Sequence, residues 1–219
     1  MKTSTEIVYN KIKDKILTCE YQPGQLVSEK EIVEEFNTSR TPVREALSML
    51  SGQGLIEIIY NKGIQISPLS VKKVNEVYEL RRMLEPLSIK YALKFIRPVD
   101  IDNLFELDKN LRESVEKEDV LSIFKNGMDV HLYIAQLAHN KTLFEHLKLL
   151  RDESYRSQVY YLKNYLGICS NEKKIEILEP IKNGHRDLTI ALSENNEEMA
   201  VKFLLEDLNS INDTIVNFE

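Results

Sequence analysis

SEKEIVEEFNTSRTPVREALSMLSGQGLIEIIYNKG, residues 28–63, spells two short helices, a tight polar break between them and a hairpin. Ser28 can cap the first helix, and Glu31 three residues on completes a capping box. Ile32, Val33 and Phe36 then share one face. Asn37, Thr38 and Ser39 form the break, and Pro42 falls just after a Ser or Thr cap, in a first turn that tolerates a missing backbone donor. In the second helix Val43, Ala46, Leu47 and Leu50 turn inward, which leaves Arg40, Thr41, Arg44 and Ser48 outward. Gly52 and Gly54 are read as the helix stop. Leu55–Ile59 is rich in β-branched residues, Asn61-Lys62-Gly63 supplies a turn, and Ile64-Gln65-Ile66 alternates. The stretch predicts a helix-turn-helix with a hairpin wing.

Such a helix suits double-stranded DNA. Arginine forks onto O6 and N7 of guanine in the major groove, and hydroxyls or helix N-termini take phosphates. Ser39, Arg40, Thr41 and Arg44 offer both chemistries. The alternative at this point is a plain capped amphipathic helix whose arginines are solvated or paired with Glu45.

The run E-x-x-x-x-F-x-x-S-R-T-P-V-R-E-A-L-x-x-L-x-x-x-G-L-I, Glu31–Ile56, followed by Gly63, resembles the winged-helix signature of the GntR family of bacterial transcription regulators. The resemblance implies DNA contacts at Lys30, Arg40, Thr41 and Arg44, with a wing tip around Asn61 and Lys62 entering the minor groove; Ser39 and Gly63 join them as candidate DNA-binding residues. Lys30 departs from the arginine common at that place. It still meets a phosphate but loses the planar fork.

Around this stretch, 219 residues allow one large or two ordinary domains. The formal charge of -6 does not announce a nucleic-acid binder. Residues 1–67 carry 8 Lys+Arg and 9 Asp+Glu, so the acidic excess lies mainly beyond them. Selectivity is therefore expected to lean on base contacts and dimer geometry rather than on bulk charge. Cys19 and Cys169 lie far apart in no metal-type pair, which fits a reducing compartment. The first residues hold no apolar stretch of signal-peptide or membrane-spanning length, and a cytoplasmic protein without a membrane partner is expected. The opening helix, Thr5–Leu17, repeats apolar residues at Ile7, Val8, Ile12, Ile16 and Leu17 with lysines opposite and is expected to complete a three-helix core.

Beyond Ser67-Pro68-Leu69-Ser70 the period is helical throughout. The predicted helices are Val71–Phe95, interrupted by Pro86, then Ile101–Lys117, Val120–Ala138, Leu143–Tyr161, Ile175–Leu192 and Glu197–Val216. The expected fold is mainly α: a winged helix-turn-helix DNA-binding domain over residues 1–69, then an antiparallel all-α bundle over 70–219 for effector binding and dimerisation.

Within the bundle, His131 and His185 fall mid-helix among apolar neighbours, and Asp207 lies on the last helix. Two imidazoles and a carboxylate suit a divalent metal such as Zn, Mn, Fe or Ni. A hydrogen-bonded core histidine and a solvated aspartate are the simpler alternative. VYELRR-x-LEP, Val77–Pro86, and the segment from His131 to Asn140 resemble the FadR-type C-terminal (FCD) domain of the same family. The resemblance implies an Asp ligand one turn before the first His, where this chain has Gly127, and a last His where it has Asp207. Asp129, two residues from His131, diverges from it on a regular helix. Arg81 is the candidate clamp for the carboxylate of a small organic acid.

These readings join in a homodimeric repressor of a near-palindromic operator, relieved by an acid metabolite. Two other classes stay open: a helical-bundle metalloenzyme, since two His and a carboxylate also form an iron-oxygenase triad, and an effector-independent structural DNA-binding protein.

Overall fold

The computed structural model describes residues 3–60 and 63–216, and these fall into two compact units divided between Ser70 and Val71. In the first unit α1 (Ser4–Leu17) is followed by β1 (Leu26–Val27), α2 (Glu29–Glu35), α3 (Arg40–Gly52), β2 (Ile56–Ile59) and β3 (Gly63–Ile66). Val8, Ile12 and Ile16 of α1 enter one core with Ile32 of α2, Val43, Ala46, Leu47 and Leu50 of α3, and Leu55, Ile56, Ile64 and Ile66 of the wing. Each of the Val, Leu and Ile side chains contributes about 2 kcal/mol by burial. The three-helix core expected from the period is thus closed on its fourth side by the wing.

The start of α2 carries the expected capping box. The Ser28 hydroxyl accepts from the Glu31 N–H at 3.1 Å while the Glu31 carboxylate accepts from the Ser28 N–H at 2.6 Å. A second box, of Thr3 and Glu6, which the sequence reading did not name, starts α1. Gly52 still belongs to α3; the chain leaves the helix at Gln53 and reverses at Gly54, whose φ of +72° is left-handed. The wing is three-stranded rather than a bare hairpin, ordered β1-β3-β2 and antiparallel throughout. Val27 pairs with Ile64 and Ile58 with Ile64 across the other edge. Two residues are too short for a period-2 signal, which is why β1 is silent in the sequence. Gly63 is fixed by this crossing: its φ is +99°, and a Cβ there would lie 2.8 Å from the Val27 carbonyl oxygen.

The second unit is a bundle of α4 (Val71–Ala92), α5 (Pro98–Glu116), α6 (Val120–Leu137), α7 (Lys141–Leu166), α8 (Asn171–Ser193) and α9 (Glu197–Val216). Chain neighbours pack as α5 on α6, α6 on α7 and α8 on α9, while α4 closes the bundle against α6, α7 and α9. Pro86 does not interrupt α4, which runs through it. A proline removes one backbone bond, but Tyr78, Arg81, Glu85, Ser88, Ile89 and Ala92 are all buried on the face that holds the helix in place. Pro180 sits inside α8 in the same way.

Candidate functional site

The amphipathicity of α3 places its polar residues. With Val43, Ala46, Leu47 and Leu50 in the core, Ser39, Arg40, Thr41 and Arg44 stand exposed on the opposite side. Ser39 occupies the N-cap position, yet its side chain makes no capping bond. The first turn of α3 is therefore left without a side-chain cap from Ser39, and uncapped N–H groups at a helix start are the kind a phosphate oxygen accepts. Arg44 is not paired with Glu45. Its Nε–H donates to both carboxylate oxygens of Glu29, at 3.1 and 2.9 Å. Lys30 lies 3.6 Å from Glu34 along one exposed helix face. The wing-tip residues Asn61 and Lys62 lie outside the described residues, and Gly63 has the backbone role given above.

In the bundle, α6, α8 and α9 bring His131, His185 and Asp207 together, with one ligand atom from each within 4.8 Å of the others. His131 Nε2 is 3.2 Å from His185 Nε2 and 3.2 Å from Asp207 Oδ2. The second nitrogens are also engaged, and His185 Nδ1 lies 3.7 Å from Asp207 Oδ1. His131 Nδ1–H donates to Glu85 Oε2 at 2.6 Å and His185 Nδ1–H to the Ile181 carbonyl at 3.2 Å. Arg81 Nε in turn donates to Glu85 Oε1 at 2.6 Å, and Arg81 is only 2 % exposed. Tyr78 lies beneath the Arg81 guanidinium and accepts from Gln158 Nε2 at 2.8 Å.

Burial disfavours every charge in this cluster, and the charges answer one another. Burial raises the Glu85 carboxyl, but Arg81 and then His131 outweigh it and hold it at about 2. Burial opposes the His131 imidazolium, while Glu85 and Asp207 raise it to about 9. His185 is pushed down by burial, offset in part by Asp207. Asp207, raised by burial, is brought to about 2 by His185 and His131. Glu85 thus takes the Nδ1 side of His131, and Nε2 is left facing Asp207 and His185.

The residues fit a divalent cation. Bonds of about 2.05 Å in a tetrahedron put neighbouring ligand atoms roughly 3.3 Å apart, close to the two 3.2 Å separations. Ligating histidines with the second nitrogen bonded to a carboxylate or carbonyl are the usual outer arrangement. Three protein ligands would leave positions for water or an organic oxygen. A Cβ at Gly127 would lie 3.5 Å from His185 Nε2, so the glycine faces this cluster and adds no donor to it. Asp129 points elsewhere and accepts from Arg151 at 2.7 Å. The void bounded by Arg81, His131, His185 and Asp207 measures about 20 Å³, room for roughly one water.

Sequence reasoning gave Glu85 and Glu29 no role. Arg81 and Glu85 stand four apart on a helix, a spacing that signals a salt bridge. Glu29 and Arg44 come from different helices, and no spacing rule connects them.

An exposed recognition helix beside a wing, carried with an all-helical bundle holding an inward-facing site, defines a DNA-binding transcription regulator with a separate helical domain. Residues 4–66 match the family described as bacterial regulatory proteins, gntR family, and residues 76–210 match the FCD domain. The chain belongs to the GntR family, with an FCD domain as its second part. It is 27 % identical over 206 residues to an uncharacterized HTH-type transcriptional regulator, YdhC, of Bacillus subtilis (strain 168), covering 92 % of this chain and 86 % of that protein. It is 30 % identical over 118 residues to the gluconate operon transcriptional repressor of the same organism, covering 53 % of this chain and 47 % of that one. Among solved structures, E. coli McbR/YncC has the same fold, with a TM-score of 0.86 at 23 % identity over 99 % of both chains. The families and relatives are transcription regulators, not enzymes. No described helix is long and apolar enough to cross a membrane.

Proposed function

We propose that this regulator is a homodimeric, metabolite-responsive repressor. Each head reads half of a near-palindromic operator through Lys30, Ser39, Arg40, Thr41 and Arg44, with the wing tip at Asn61, Lys62 and Gly63. The observation that carries the reading is the outward row of Ser39, Arg40, Thr41 and Arg44 on a helix whose other side is wholly in the core. Arg40→Ala and Arg44→Ala are each expected to remove sequence-selective binding, a loss of about 1–3 kcal/mol at one base pair, while the bundle unfolds as in the wild type. Sequence selection retained by both variants would overturn the reading.

One head reads too few base pairs for selectivity, so a second copy is required. Leu80, Met83 and Leu87 support a place for it. They are 48 %, 69 % and 41 % exposed at spacings of three and four along α4, one apolar stripe of the kind that pairs helices. The bundle is proposed to hold a divalent cation at His131, His185 and Asp207. That cation would supply a Lewis-acidic anchor for a small organic acid, with Arg81 as a second anchor for its carboxylate. A relative is named as the repressor of a gluconate operon, which agrees with an acid effector. The void of about 20 Å³ is too small for such an acid, so the acid binds a widened bundle. A ligand selects the widened form only by as much as it binds that form better, and this preference limits the signal.

A further inference from the structure

Resting on the DNA-reading face proposed above, we infer that Glu29 is a positioning residue for Arg44: it holds the guanidinium by Nε so that the two terminal nitrogens meet a guanine edge.

Arg44 is 67 % exposed at its side chain and Glu29 30 %, and an ion pair this wet adds little to stability. Its meaning lies in which nitrogen it takes. The Nε–H is shared between both Glu29 oxygens, at 3.1 and 2.9 Å. The end-on fork of an arginine uses the two terminal nitrogens, and the bond to Glu29 leaves that fork available.

The holder stands at a capped helix start and is less exposed than the side chain it holds. Glu29 is the first residue of α2, directly after the Ser28–Glu31 capping box. A long arginine loses much rotamer freedom on meeting a base, and a side chain already held loses less. Glu29, Arg44 and Leu47 also line one concavity of about 500 Å³ with Ile58, Tyr60 and Gly63 of the wing. The held arginine thus faces the groove between recognition helix and wing. Glu29 has a second consequence, because its negative charge near the face lowers attraction to any phosphate backbone. Base reading is favoured while indiscriminate binding is weakened.

The opposite role is a latch, with Glu29 competing against DNA for Arg44. Engagement through Nε argues for the positioning role, since a latch would be expected to occupy the terminal fork.

The test uses the full chain at low ionic strength, where weakened variants still bind. The probes are a duplex selected by the wild type from a randomised pool, the same duplex with each base pair exchanged, and an unrelated duplex. Glu29→Ala is expected to bind the selected duplex about fivefold more weakly and the unrelated one no more weakly. The lost preference should fall at the base pair whose recognition Arg44→Ala abolishes. The double variant should be no weaker than Arg44→Ala, and Glu29→Gln, which keeps an acceptor oxygen, should recover part of the preference. Tighter binding of the selected duplex by Glu29→Ala, no change at all, or an equal loss in the Arg44→Ala background would each overturn the inference. A wild type that selects no sequence would overturn the DNA-reading assignment itself, and this inference with it.

Discussion

Glu85 carries more of the bundle's chemistry than any residue chosen from the sequence. It takes Arg81 on one oxygen and His131 on the other, so one carboxylate orients the candidate effector clamp and one candidate metal ligand. The two histidines and Asp207 are legible as types on apolar faces, and the structure brings them to one place. That Arg81 is already engaged by a neighbour in the chain is not legible, because the i,i+4 spacing does not say whether the pair is buried or wet. Gly127 offers a direct trial of the centre. A Cβ fits there in ordinary contact with the His185 ring, so Gly127→Asp would add a carboxylate beside the inward nitrogens. Zinc affinity, measured by competition with a chromophoric chelator, should rise about tenfold. Unchanged affinity would argue against a cation at this triad.

At the scale of elements, helix starts are the most readable features of the chain, because a cap is written within four residues. The boxes at Ser28 and Thr3 follow that rule, whereas α7 runs to Leu166, past the expected Tyr161, and α8 starts at Asn171, ahead of the expected Ile175. The start of α5 is tied by Asp100. Its carboxylate accepts from the Arg97 backbone N–H at 3.0 Å, from Arg97 Nε at 2.9 Å and from the Tyr133 hydroxyl of α6 at 3.2 Å. The Arg97 guanidinium is the main cause that holds this buried carboxyl at about 2, below its ordinary value of 3.8. A depressed carboxyl stabilises the fold above its unfolded value, and that contribution is lost as pH falls from about 4 toward 2. Asp100→Ala should cost about 1–2 kcal/mol of bundle stability at neutral pH, with the gap to wild type narrowing over that interval. A denaturant titration at pH 6 and pH 3 checks it; a gap that stays constant would place the stabilisation elsewhere. Strand β1 marks the limit of legibility at this scale. Its two residues exist as a strand because β3 is there to pair with them, a long-range cause with no local trace.

For the whole molecule, composition misleads while pattern does not. A net charge of -6 would turn attention away from nucleic acid, yet the outward face of α3 carries Arg40 and Arg44 and its inward face none of the charges. What the chain cannot write locally is its partner: the exposed stripe of Leu80, Met83 and Leu87 acquires a meaning only if a second copy covers it. Met83→Glu should therefore shift the protein toward monomer in sedimentation and weaken operator binding, whereas an unchanged assembly would send the dimer contact to another surface. The organisation as a regulator is tested most directly by incubating the purified wild-type protein with sheared genomic DNA at physiological salt and sequencing what it retains. A few fragments sharing one short near-palindrome are predicted; uniform retention, or none with or without added divalent metal, would contradict sequence-selective reading by α3.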